Sequence, residues 1–367
     1  MGEGVSAANG GWNGRRVVVT GGTGFIGGAL VQRLVELGAH VLVPTRDKSR
    51  IGSGGERIDY VRADIGNPRD AHALVSGADI LFNLAYDFRR TADENIMLYT
   101  VLADACAAQG VARLVQTSSI AVYDDWPLKD VDENSPCDMP RHAYKAAKRA
   151  IEKDIAARVS AGQFDAVILQ PTIVYGPASP QWTDILVERM HGGAVILPRE
   201  GLGLCNGLYI DDLVDAFIAA GEMEQGGAER FIVSGPEPFE WSTLFAAYAE
   251  ACGAQVVYED MPPYVPPSAN NASPPPGGLS ALVQRLSASL AAHIGTARLE
   301  RLRKRVMKLK PGSAPYSPSM QDPRLYHGRG VASIAKASAQ LCAPKIGPQE
   351  GLARTADYIR QVYPPKP

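Results

Sequence analysis

Apolar positions along the first half of the chain follow two rhythms in turn. Arg16-Val17-Val18-Val19-Thr20 is an unbroken β-branched run, the pattern of a buried strand. It meets Gly21-Gly22-Thr23-Gly24-Phe25-Ile26-Gly27. Leu30, Val31, Leu34, Val35 and Leu37 then recur at helical spacing, and Gly38 closes that helix. Val41-Leu42-Val43 predicts a second strand, and further strands are predicted at Ile58 to Val61, Asp79 to Leu84 and Ala112 to Thr117. Helical patterns separate the later ones, including Thr91 to Gln109, and Tyr144 to Val159 predicts another helix. Alternation of this kind predicts an α/β chain with a parallel doubly wound sheet.

From about residue 178 the rhythm is less regular. Trp182 to His191 and Asp211 to Ala220 read as helices, and Gly192 to Gly207 as loop. Met261 to Gly278 is dense in proline and reads as a stiff, extended or disordered linker. Leu279 to Lys310 follows as helix. Over residues 298–310, Leu299, Leu302, Val306 and Leu309 form one stripe among Arg298, Arg301, Arg303, Lys304, Arg305, Lys308 and Lys310. Such a basic amphipathic helix is a solvated face, a peripheral contact with a membrane or anionic partner, or a lid over a phosphate-bearing substrate.

Composition narrows the class. The 367 residues are 46% hydrophobic and 21% charged, enough for a sizeable core. A net charge of −2 offers no general attraction for nucleic acid. The five cysteines have no metal-ligand spacing, so no metal is expected and reduced thiols in a cytoplasmic setting are. No apolar run approaches the roughly 18 residues of a membrane span. Residues 1–14 are expected to be a flexible arm.

The glycine turn carries the first chemistry. Strand, Gly-rich turn, helix and strand within about 30 residues is the context of a dinucleotide fingerprint. Gly21 suits the tight turn, Gly24 the approach of a pyrophosphate to the helix N-terminus, and Gly27 close helix–strand packing. The end of the second strand selects the cofactor, because an acid there would bind the 2′-hydroxyl of NAD and repel a 2′-phosphate. Thr45 occupies that place and Arg46 follows, which favours NADP; Asp47 is the candidate for NAD. Asp64 and Ile65 end one later strand and could face adenine. Leu84, Ala85 and Tyr86 end another and could line the cofactor cleft.

Tyr144 and Lys148 stand four apart in a predicted helix and so share one face. A free phenol has a pKa near 10 and is a poor acid–base catalyst at neutral pH, and a fixed cation lowers it. Ser119, in Thr117-Ser118-Ser119 at a strand end, offers a hydroxyl that could hold a substrate oxygen against that phenol.

Together these segments resemble the extended short-chain dehydrogenase/reductase family, which includes NAD-dependent epimerases and dehydratases. The match is carried by Thr20 to Gly27, Asp64-Ile65, Asn83-Leu84-Ala85, Thr117 to Tyr123, Tyr144-x3-Lys148, Gln170 to Pro177 and Tyr209 to Asp212. The resemblance implies a Rossmann-type sheet over residues 15–177, with later elements from 205–235. It also implies a smaller C-terminal substrate-binding domain over most of 178–367, interrupted by the insertion at about 261–320. Tyr144 would exchange a proton with the substrate, Lys148 would lower its pKa and bind the nicotinamide ribose, and Ser119 would orient the substrate oxygen. Gly21, Thr23, Gly24, Phe25, Ile26 and Gly27 would hold pyrophosphate, with Pro171, Thr172 and Ile173 beside the nicotinamide. Asn95 matches a family residue near the site; Tyr123, Arg199 and Asn206 are further substrate candidates, and Arg230 a possible phosphate partner. Asp124 stands where the family often has glycine, and no acid pair follows the strand-end hydroxyls, which counts against 4,6-dehydration.

The leading expectation is a nucleotide-sugar epimerase or reductase. The alternative is an NADP-dependent reductase of a non-sugar ketone, of the flavonoid-reductase or hydroxysteroid type. A third is a redox sensor without catalysis. A homodimer is expected from the family.

Overall fold

The computed structural model describes residues 11–139, 142–224, 227–261, 264 and 315–365. Residues 1–10 of the expected arm, most of the proline-rich stretch and the segment 298–310, expected as a basic helix, lie outside them, while Trp12, also expected in the arm, is buried in the core.

The front half runs β1 (Arg16–Thr20), α1 (Phe25–Glu36), β2 (His40–Thr45), β3 (Ile58–Arg62), α2 (Pro68–Val75) and β4 (Ile80–Asn83). It continues with α3 (Ala92–Gln109), β5 (Arg113–Thr117), a 3-10 turn at Ile120–Val122, α4 (Ala143–Ser160) and β6 (Asp165–Pro171). After β7 (Ile173–Tyr175) come α5 (Ile185–Met190), β8 (Ala194–Pro198), β9 (Leu204–Cys205), β10 (Gly207–Tyr209), α6 (Ile210–Glu222) and β11 (Ala228–Val233). Then follow β12 (Phe239–Glu240), α7 (Trp241–Cys252) and β13 (Gln255–Glu259). The closing segment holds α8 (Pro318–Gln321), α9 (Pro323–His327), α10 (Ala335–Gln340) and α11 (Pro348–Val362).

Seven parallel strands form the main sheet in the order β11-β6-β5-β4-β1-β2-β3. Successive side chains on a strand point to opposite faces. Val17, Val19, Val41, Val43 and Phe82 join α1 and α6 in one core, with Leu30, Leu34, Leu213 and Phe217. Val18, Leu42, Leu81, Leu114 and Ile168 join α2, α3 and α4 in the other, with Leu74, Leu102, Ile151 and Ile155. Helices cover both faces, which is why the strands read as continuous apolar runs rather than alternating ones.

The back half shares the first of these cores. Trp241, Leu244, Phe245, Tyr248, Tyr326, Leu352 and Ile359 belong to the same cluster as Val17. The segment 192–207, expected as loop, instead contributes β8, β9 and β10, which pair with β13, β12 and β7. These strands are two to five residues long, and two of the three partners, β12 and β13, come later in the chain. No local periodicity reveals such pairings. The expected helix at 182–191 divides into a π turn at Pro180–Asp184 and the shorter α5.

Candidate active site

The carboxyl ends of β1, β4 and β5 lie side by side in the sheet, the place where open α/β sheets bind ligands. Gly21 adopts a positive φ of 70° after β1, and the Gly24 amide closes the turn on the Gly21 carbonyl at 2.9 Å. A Cβ on Gly27 would stand 2.2 Å from the Gly21 oxygen, so only glycine allows α1 to start this close to the turn. A Cβ on Gly24 would meet only the Gly21 oxygen, at 3.3 Å, leaving its outer side open. Helix α1 begins at Phe25 and Ile26 with no side-chain cap and no acid in its first turn. Its first amides therefore remain as donors for an anion. A dinucleotide pyrophosphate fits this cradle.

A buried polar thread crosses the strand ends. Thr20 Oγ1 donates to Asn83 Oδ1 at 2.6 Å, Asn83 Nδ2 to Gln116 Oε1 at 2.8 Å, and Gln116 Nε2 to the Thr117 carbonyl at 2.8 Å. Thr117 Oγ1 is buried with no hydrogen-bond partner. Leu84, Ala85 and Tyr86 follow β4 on this edge, and Ala85 N donates to Thr20 Oγ1. Pro171, Thr172 and Ile173 span the junction of β6 and β7, where Thr172 Oγ1 donates to Ser234 Oγ at 3.0 Å. Asp64 and Ile65 follow β3 at the far edge, next to β2.

Tyr144 lies in the first turn of α4 and Lys148 one turn later. The Lys148 ammonium is buried, donates to the Thr117 carbonyl at 2.8 Å, and lies 4.9 Å from the Tyr86 ring centre and 5.7 Å from that of Tyr144. Burial pushes its pKa down to about 8, and Glu152 acts in the opposite sense. Burial also raises the Tyr144 phenol above its ordinary value; the Ser119 hydroxyl opposes this and Tyr86 adds to it. Burial is thus the largest influence on the phenol, while the Lys148 ammonium donates to a carbonyl and faces two rings, that of Tyr144 among them. The phenol keeps its proton at neutral pH.

An aromatic group that sequence reading did not anticipate covers the phenol. Phe88 stacks on Tyr144 with ring centres 5.5 Å apart, and Tyr86 meets both rings edge-on at 4.9 and 5.0 Å. Phe88 is nonetheless 75% exposed, so it forms the open mouth of the site.

Other expected residues are engaged elsewhere. Asn95 accepts from Asp87 N and donates to the Asp87 and Thr91 carbonyls, which makes it a brace for the loop carrying Tyr86 and Phe88. The Tyr123 hydroxyl turns inward to Gln170 Oε1 at 2.7 Å. Asn206 is buried, with its amide spent on Gly330 O and Ala332 N. Arg230 binds the Glu133 carbonyl, and the exposed Arg199 pairs with Asp260. Asp212 accepts the amides of Lys345 and Ile346 and so ties down the closing segment. Among the described residues no cluster of metal-ligating side chains occurs, and no helix is long and apolar enough to cross a membrane.

Asp124, the departure from the family pattern, has a partner in Lys145, the residue after Tyr144. The two are buried and ion-paired. Burial alone would raise the Asp124 carboxyl, but Lys145 and the Met139 amide outweigh it and hold it low. Arg324 of α9 donates to the Asp124 and Trp126 carbonyls, at 3.4 and 2.9 Å. The pairing was hidden in the sequence because 21 residues separate its members.

Comparison with known proteins gives the family and the fold. The family model described as "NAD dependent epimerase/dehydratase family" matches residues 17–234. A UDP-glucose 4-epimerase of Mycolicibacterium smegmatis is 30% identical over 277 residues, 69% of this chain and 86% of the relative. A 2-alkyl-3-oxoalkanoate reductase of Stenotrophomonas maltophilia is 28% identical over 258 residues, 65% and 76% of the two chains. In fold, the chain is similar to the UDP-glucose 4-epimerase of Thermus thermophilus solved with NAD. That likeness has a TM-score of 0.64 and 21% identity, over 95% of this chain and 99% of the other. This chain belongs to the NAD-dependent epimerase/dehydratase family and is an NAD(P)-dependent enzyme of the epimerase or reductase kind.

Proposed function

We propose that this enzyme is an NADP-dependent reductase of a cyclic or aromatic ketone that carries no nucleotide. The observation that carries the reading is the exposed Phe88 ring stacked on Tyr144, with Tyr86 at its edge. An aromatic wall favours a flat apolar substrate beside the phenol. The cofactor, when bound, supplies hydride. Tyr144 holds its proton and donates it to the carbonyl oxygen, and Ser119 donates a second hydrogen bond to that oxygen. Lys148 keeps a positive charge beside the developing alkoxide. Asn206 and Arg230, which a sugar diphosphate could have used, are committed to backbone and buried partners.

NADP is supported at the end of β2. Asp47 Oδ1 accepts Ser49 N and Oγ, which ties it to its own turn. Arg46 is 69% exposed and, among the described residues, is ion-paired with Asp87 at 3.7 Å. Asp87 is drawn down to about 2, first by Arg89 and least by Arg46. The Arg46 guanidinium is thus available to a 2′-phosphate.

A nucleotide-sugar epimerase is the second reading, supported by the 30% identical UDP-glucose 4-epimerase. A panel of aromatic and alicyclic ketones assayed with NADPH, and of UDP-sugars assayed with NAD+ or NADP+, separates the two. Net NADPH consumption with ketones is expected. Interconversion of UDP-sugars without net consumption, and no turnover of any ketone, would replace the first reading by the second.

A further inference from the structure

We infer that Glu152 is a positioning residue, which holds the Lys148 ammonium in its charged form and anchors the strand end that presents Ser119. Glu152 follows Lys148 by four residues on α4 and so stands one turn behind it on the same face. It is 2% exposed, too deep for substrate to reach. Its two oxygens divide their work. Oε1 accepts the Ser118 hydroxyl and, at 2.8 Å, Gln170 Nε2. Oε2 faces Arg149 Nη1 at 2.7 Å and Arg230 Nη1 at 3.8 Å.

Ser118 lies between two residues of the site. Thr117 on one side accepts Lys148 through its carbonyl; Ser119 on the other opens the turn at Ile120–Val122. One carboxylate therefore fixes the backbone that receives the lysine and the backbone that carries the serine.

The charges around the pair set the sign of its effect. Lys148 is faced by Tyr86 from the loop after β4, by the Thr117 carbonyl from β5, and by Tyr144 and Glu152 on α4. Glu152 is faced by Ser118 just after β5, Gln170 from β6, Arg230 from β11 and Arg149 on α4. Asp138 reaches Arg149 from the outside, and Glu133 and Cys137 hold Arg230. From α3, the Tyr99 hydroxyl donates to Asp154, which also takes Arg158. Glu152 is the negative group that supports the Lys148 charge against burial. Neutralising it would remove the carboxylate that Arg149 and Arg230 share and push the lysine further toward its neutral form.

This inference rests on Tyr144 and Lys148 as the reacting pair, and its test does not need the natural substrate. The lysine side chains of the full chain are isotope-labelled and titrated by NMR without cofactor, with Lys148→Met assigning the signal. In the wild type Lys148 titrates near about 8. In Glu152→Gln the midpoint falls by about one pH unit or more. Glu152→Asp keeps the charge but loses reach to Ser118; its midpoint stays within about 0.3 units while turnover of 9,10-phenanthrenequinone with NADPH falls about tenfold. An unmoved midpoint in a folded Glu152→Gln would overturn the inference. Wild-type turnover in Glu152→Asp would overturn it as well, including where Glu152→Gln does not fold. Failure of the parent reading looks different: Tyr144→Phe would then keep full turnover.

Discussion

Lys145 and Lys148 stand three residues apart on α4, both almost wholly buried, at 2% and 4% exposure, and their surroundings answer them in opposite ways. Lys145 faces the loop at 123–139 and meets a carboxylate, Asp124. Lys148 faces the cleft and meets a carbonyl and two aromatic rings. A buried cation with a full counter-charge holds architecture together, because breaking the pair strands a charge in the interior. A buried cation that touches only dipoles and ring faces, with its carboxylate a helical turn away, sits at the edge of its charged form, which is the condition for taking part in proton chemistry. One helical turn thus separates a latch from a reagent.

The comparison breaks most severely at the latch. Asp124→Ala is expected to cost about 3–5 kcal/mol in urea unfolding, and Asp124→Asn combined with Lys145→Met to recover most of that loss. A single variant as stable as wild type would mean that the pair does not hold the loop. On the reagent side, Tyr144→Phe is expected to lower ketone turnover by about 10²–10³-fold with NADPH affinity unchanged, read by steady-state rates and by fluorescence titration. Arg46→Ala tests the cofactor end. NADPH binding should weaken by about 10–150-fold while NADH binding stays level, since one charge-assisted contact contributes about 1.5–3 kcal/mol; equal losses for both would remove the 2′-phosphate role. The smallest effect is expected at the mouth. Phe88→Ala should raise KM for aromatic ketones by about 3–10-fold with little change in kcat, as a stacked ring contributes about 0.5–1.5 kcal/mol. A uniform effect on aromatic and aliphatic ketones would show that the ring does not read substrate shape.

Much of the front half was legible in the chain. The strands at Arg16–Thr20 and Ile80–Asn83 and the helix at Ala92–Gln109 fall close to their expected places. Each is long or strongly apolar, and local punctuation agrees with the pattern: Thr91 and Glu94 form a capping box, and Gly110 ends the helix with a positive φ. Tyr144 and Lys148 were legible because helical spacing alone places them together. Glu152 extended the same four-residue spacing and was overlooked, since a carboxylate on a helix reads as solvated until its burial is known. Phe88 carried no signal of its place, as two aromatics in a short loop have no period that points to a partner on another element.

The back half was read least well, for a related reason. Arg230 and Asn206 have the chemistry of ligand contacts, and in the folded chain both serve as struts. A polar side chain bonds whatever the fold brings within about 3 Å, and that neighbour is often a backbone group remote in sequence.

By itself, the sequence determined the alternation of strand and helix, the glycine turn and the Tyr144–Lys148 register, because each follows from contacts within a few residues. Only the tertiary structure decided which buried lysine has a counter-ion, which ring covers the phenol and which carboxylate stands behind Lys148. Those outcomes depend on burial and on charges brought together from distant segments, and no local pattern encodes either.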